Sequence, residues 1–121
     1  MNFRLLFLPF ALLFCLGISG PAFGQVDLKT ADRLYDEMAF AQATEAYIKL
    51  LDKNEPSLEI IQRIAHGYRL MNNSKEAEFW YAQVLNFPNA ASINTFFYAE
   101  SARRNGNFEK AKELARHGGN D

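Results

Sequence analysis

The chain has 121 residues, with 13 Lys+Arg against 14 Asp+Glu and a net charge of −1. That length accommodates one small domain and excludes two, and the near-balance of charge excludes a non-specific nucleic-acid surface, which needs clustered excess cation. With 49% hydrophobic and 22% charged residues the composition is that of a folded protein, not a disordered one.

Residues 1–24 read as a cleavable export signal. Arg4 supplies the positive start, and an apolar run extends from Leu5 to Leu16. Ser19, Gly20 and Pro21 break it, and Ala22 and Gly24 place small residues at −3 and −1 before Gln25. The run is short for a bilayer span and carries Pro9. Phe14 before Cys15 does not suit lipidation, which needs a small residue there. Cys15 is the one cysteine, so the chain from Gln25 onward has no disulfide and no cysteine metal site. The expectation is an exported protein, periplasmic or outer-membrane-associated, with no transmembrane span after residue 24.

Downstream, the apolar spacing is helical. Ile60, Ile61, Ile64, Ala65 and Tyr68 recur at steps of three and four, as do Ala77, Trp80, Tyr81, Val84 and Leu85. In chain order the spacing predicts helices over 27–38, 41–53, 57–71, 74–86, 92–105 and 108–117. Asn72-Asn73-Ser74 and Asn105-Gly106-Asn107 read as turns, with Ser74 offered as an N-cap. Pro56 and Pro88 stop helices between the pairs.

The pattern also repeats. FAQATEAYIKLL at 40–51 aligns without a gap with SKEAEFWYAQVL at 74–85. The shift that carries 40 onto 74 pairs Ala43 with Ala77, Tyr47 with Tyr81, Leu51 with Leu85, Ala31 with Ala65 and Leu34 with Tyr68. A second equal shift reaches Ala99, Ala102, Phe108 and Ala111. Three copies result, at about 24–57, 58–91 and 92–121, the last incomplete. In the third, Ala115 stands where the others have tyrosine, so its second helix should pack more loosely. Ala77 is expected at a close helix crossing and Ala90 in a tolerant turn.

A helix-turn-helix unit of this period resembles the tetratricopeptide repeat, whose unit is about 34 residues long. Copy two carries the motif positions as Ile61, Ile64-Ala65, Tyr68, Ala77, Tyr81 and Val84. Copy one carries Ala31, Leu34, Ala43 and Tyr47. Copy three carries Tyr98-Ala99, Ala102, Ala111 and Ala115. The resemblance implies an all-α fold: three stacked helix hairpins in a short right-handed solenoid, residues 25–121, after the signal. The phrases ADRLYDEMAFAQATEAY, YRLMNNSKEAEFWYAQVL and ARRNGNFEKAKE also resemble the N-terminal repeat region of outer-membrane-associated proteins of Bacteroidota. In those proteins the repeats usually precede a β-propeller and a peptidoglycan-binding domain of the outer-membrane-protein-A type, and some members belong to type IX secretion. The chain is then either a truncated member or a small stand-alone relative.

No catalytic constellation emerges. His66 and His117 lie in different copies without helical-spaced co-ligands for a metal. Asp32, Asp36 and Glu37 read as a solvated acidic face, and Ser57, Ser74, Ser92 and Ser101 lack a nucleophile context. No Gly-rich phosphate loop exists, and Gly118-Gly119 reads as a helix terminator. No cofactor is expected. Phe79, Trp80, Tyr81, Phe96, Phe97 and Tyr98 are expected to pack copy two on copy three.

The resemblance implies a concave groove lined by the first helices and accepting a protein or peptide. Carried over by register, its residues are Asp32, Tyr35 and Asp36 from copy one; Glu59, Gln62, His66, Arg69 and Leu70 from copy two; and Ile93, Phe96, Glu100, Arg103 and Arg104 from copy three. The groove would run from acidic to basic, with Arg69, Arg103 and Arg104 suited to a carboxylate. The chain does not supply the groove asparagines of members that clamp peptide C-termini. The expected function is a non-enzymatic protein-binding adaptor; the alternative is a truncated structural part of an envelope anchor. The third copy is expected to expose Phe108, Ala111, Leu114 and Ala115, and to fray, self-associate or dock through that open end.

Overall fold

A computed structural model describes residues 27–118. Among the described residues the chain is all-helical: α1 Leu28–Asp36, α2 Phe40–Leu51, α3 Leu58–Leu70, α4 Ser74–Val84, α5 Ile93–Arg104 and α6 Phe108–Gly118. The ends of each lie close to those expected from spacing.

Side chains at the helix starts explain several of those boundaries. Asp27 Oδ1 accepts from the Thr30 amide at 2.8 Å and Ser57 Oγ from the Ile60 amide at 3.5 Å, satisfying donors that the helix itself leaves open. At α4 the cap is Asn73, whose Oδ1 accepts from the Glu76 amide at 3.2 Å. Ser74, expected in that role, is instead the first helical residue, and its hydroxyl is used elsewhere.

The second helices begin at Phe40, Ser74 and Phe108, evenly stepped along the chain. The turns before them repeat bond for bond. The amides of Met38, Asn72 and Gly106 donate to the carbonyls of Tyr35, Arg69 and Arg103, each at 3.0 Å. The amides of Ala39, Asn73 and Asn107 reach back to Leu34, Tyr68 and Ala102 at 2.9, 2.9 and 2.8 Å. This is the double bond pattern of a Schellman turn, which needs one left-handed residue. Met38, Asn72 and Gly106 fill that place, with φ of 63°, 60° and 81°.

Each helix packs chiefly on its neighbours in the chain, so the core is built in series. Ala31, Ala43, Ala46, Tyr47, Leu50 and Ile64 close the first cluster, joining α1, α2 and α3. Ile61, Ala65, Ala77, Tyr81 and Val84 form the second, with Phe97 and Tyr98 of α5 packed on it. Alanine at 31, 43, 65 and 77 removes the bulk that would hold helix axes apart, and all four are 0% exposed. Tyr47 and Tyr81 fill the space so shaped, each burial contributing roughly 2–3 kcal/mol.

The first and second pairs approach closely at Gly67 of α3. A Cβ there would run into Thr44 Cγ2 of α2, whose hydroxyl is fixed to the Phe40 carbonyl at 2.8 Å.

The third pair is different. Ala115 and Gly118 replace the tyrosine and the Leu50 or Val84 of the earlier copies, and α6 has no buried residue. Its outer face carries the ion pairs Lys110–Glu113 and Lys112–Glu109 instead. The expected aromatic packing between copies two and three is partly corrected. Tyr81 meets Phe97 at 5.8 Å between centroids, while Phe79 and Phe96 point outward at 56% and 62% exposure. Ala90 is also corrected, since it is half-buried at the edge of the second cluster rather than free in a turn.

Candidate partner-binding site

The residues assigned to the groove fall into distinct groups. The first surrounds the Tyr47 hydroxyl, which donates to Asp32 Oδ1 at 2.5 Å and accepts from Arg63 Nη1 at 3.2 Å. Arg63 also lies 3.4 Å from Asp32 and 3.4 Å from Glu59, and its guanidinium sits over the Tyr35 ring at 5.1 Å. An α3 cation thus ties together an α1 carboxylate and an α2 phenol. Burial, reinforced by the Asp32 carboxylate, pushes the Tyr47 hydroxyl above the usual phenol range, so it stays a donor at neutral pH. Asp36 stands apart from this network and is exposed.

The second group is its counterpart one repeat later. Tyr81 takes the place of Tyr47, and His66 that of Asp32. His66 Nδ1 and the Tyr81 hydroxyl are 2.5 Å apart, and Arg69 Nε donates to the same oxygen at 3.2 Å. With Arg69 donating, the hydroxyl proton points to Nδ1, which leaves the imidazole neutral with its own proton on Nε2. Burial, with help from the Arg69 charge, lowers the His66 pKa from 6.5 to about 4. Burial likewise pushes Tyr81 up to about 12, against the opposing effect of Arg69. The Arg69 guanidinium lies 3.9 Å from the Phe97 ring centre, linking this group to α5. Gln62 adds a further link, accepting from Asn94 Nδ2 at 3.0 Å.

Asp32, Gln62, His66 and Arg69 are therefore engaged within the helix stack, while Glu59 is exposed and pairs with Arg63 of its own helix. The network partners Arg63, Tyr47 and Tyr81 escaped the sequence reading of the site, because they face inward from positions that motif spacing assigns to the core or to solvent. Two equivalent tyrosines, each following a polar residue of the preceding helix at the same separation, were the signal that could have found Tyr47 and Tyr81; Arg63 has no equivalent in the next copy.

The third group is open. Ile93, Phe96, Glu100 and Arg103 of α5 share a concavity of about 680 Å³ with Leu114 and Ala115 of α6. Ile93 is 51% exposed, and Phe108 at the start of α6 is 59% exposed. Leu70 and Arg104 adjoin a smaller hollow of about 180 Å³ between α3 and α5, where Arg104 pairs with Glu100 at 3.0 Å. Apolar floor and charged rim thus lie together at the third pair. Among the described residues no group of three or more His, Cys, Asp or Glu is placed to hold a metal, and no helix is long and apolar enough to cross a membrane.

No protein-family model matches this chain, and no curated protein matches it.

Proposed function

We propose that the chain is a repeat module of the tetratricopeptide type that binds a protein partner without catalysis, outside the cytoplasm. The observation that carries this reading is the concavity of the third pair, where Ile93, Phe96 and Leu114 leave apolar surface open beside Glu100 and Arg103. Apolar surface rimmed by charge suits a partner helix whose apolar residues enter the hollow. The thrice-repeated turn, evenly spaced along the chain, supports the repeat assignment. Export rests on the order of charge, apolar run and small residues within 1–24, a segment outside the described residues.

The groove assigned by family register is accordingly narrowed to its third-copy end. Asp32, His66 and Arg69 act as internal ties that hold the helices in register, Glu59 pairs with Arg63 along its own helix, and Ile93, Phe96 and Arg103 meet the partner. Affinity capture from envelope extract, comparing the unaltered protein with Phe96→Ser and Lys29→Glu, tests this. A partner retained by Lys29→Glu and lost by Phe96→Ser is the expected result. Equal capture by both variants, or a purified protein that keeps residues 1–24, overturns the corresponding half of the proposal.

A further inference from the structure

Asn105 and Gly106 form the turn between α5 and α6. An Asn-Gly pair is chemically the weakest asparagine context, because without a Cβ the glycine amide nitrogen can reach the asparagine Cγ. In the fold both reactants are held apart. The Gly106 amide donates to the Arg103 carbonyl at 3.0 Å, and Asn105 is helical, with φ −84° and ψ 0°. Its side chain is turned toward α4. Ser74 Oγ donates to Asn105 Oδ1 at 2.7 Å. Asn105 Nδ2 donates to the Ser74 carbonyl at 2.9 Å and to Glu78 Oε2 at 2.5 Å. Asn107 Nδ2 donates to the other Glu78 oxygen at 3.0 Å. These bonds form a latch between the second and third helix pairs.

We propose that Asn105–Gly106 is a spontaneous modification site guarded by this latch, and that loss of the Asn105 amide releases the third pair from the second. When the pair opens, the Gly106 nitrogen attacks Asn105 Cγ. The new N–Cγ bond forms, the Cγ–Nδ2 bond breaks, and ammonia leaves with the proton from the Gly106 amide. Water then opens the cyclic imide at either carbonyl, yielding aspartate or the isoaspartyl isomer. Neither can close the latch again. A carboxylate has no proton to donate at neutral pH, so the contacts to the Ser74 carbonyl and Glu78 become acceptor against acceptor. The second is also charge against charge. Of the Asn105 contacts only that with the Ser74 hydroxyl still has a matched partner, and Asn107 alone keeps its bond to Glu78. Hydrolysis does not restore the amide, so each opening that leads to reaction is irreversible, and the released pair carries the open apolar concavity with it.

The inference does not depend on the partner-binding proposal, and its tests need no partner. The purified protein is held in mildly alkaline buffer with and without denaturing urea, and peptide mass mapping follows amide loss at Asn105. Folded protein should react at least about tenfold more slowly, and Ser74→Ala or Glu78→Ala should remove much of that protection. In Asn105→Asp, hydrogen exchange across 93–118 should rise about tenfold or more while 58–70 stays protected. Adding Glu78→Gln should reverse this, since a glutamine amide can donate to Asp at 105. Rescue by Glu78→Gln decides the matter even where Asn105→Asp alone fails to fold. Equal reaction rates with and without urea, unchanged exchange in Asn105→Asp, or no rescue would each overturn the proposal.

Discussion

Met38 sits at the left-handed position of the first turn, at φ 63°, where the third turn has Gly106 at φ 81°. A side chain with a Cβ pays roughly 1–2 kcal/mol for that conformation. Met38 recovers little by packing, because it is 76% exposed. Met38→Gly should therefore stabilise the protein, less the extra freedom glycine brings to the unfolded chain, about 0.5–1 kcal/mol. The net gain expected is about 0.5–1 kcal/mol, which in a domain of this size corresponds to a Tm increase of roughly 3–6 °C. Asn72→Gly at the second turn is the internal control. Asparagine tolerates the left-handed region better than methionine, so its gain should be only a few tenths of a kcal/mol, about 0.3. Thermal and urea unfolding followed by circular dichroism measure both. A Met38→Gly protein no more stable than the parent, or an Asn72→Gly gain exceeding the Met38→Gly gain, would refute the claim that backbone strain distinguishes the three turns.

Gly67→Ala should destabilise by about 1–3 kcal/mol despite alanine's better helix propensity, because the added methyl meets Thr44 Cγ2; a neutral result would mean that α2 and α3 can separate there at no cost. Ala77→Leu should lower stability by a similar 1–3 kcal/mol or so, while Ala91→Leu, at an exposed site, should not; equal melting shifts would contradict the register. His66 gives a pH dependence whose direction follows from its lowered pKa of about 4. The unfolded chain accepts a proton near pH 6.5 that the folded imidazole refuses until about pH 4, so stability is full above about 6.5 and falls as pH drops through that window. Allowing for solvent screening at this partly open site, the loss should be about 1–2 kcal/mol. Urea titrations from pH 7.5 to pH 4.5, roughly spanning the window, should show that His66→Phe removes this share of the slope; parallel curves for the two proteins would exclude His66 as its source.

The positions of the helices were legible in the sequence because they depend on short-range rules. Apolar steps of three and four, alanines at 43 and 77, and turn residues at 72–73 and 105–107 act within a few residues of each other. The repeat period was legible for the same reason, since each copy states the same local pattern again. What those rules do not contain is where a side chain goes once a neighbouring helix takes up space beside it. Asp32, His66 and Arg69 read as groove residues by register, yet the phenols of Tyr47 and Tyr81 come within bonding distance from the following helix and engage all three. Phe96 read both as inter-copy packing and as a groove residue; it is 62% exposed, since α6 offers Ala115 where Tyr81 stood and leaves nothing large to fold against it. Ser74 read as a cap, but the next pair brings Asn105 to its hydroxyl, and Asn73 takes the capping role one residue earlier. Local sequence thus determined the helices, their turns and their period. Packing between pairs decided which polar groups are consumed inside the stack and left the apolar concavity of α5 and α6 open.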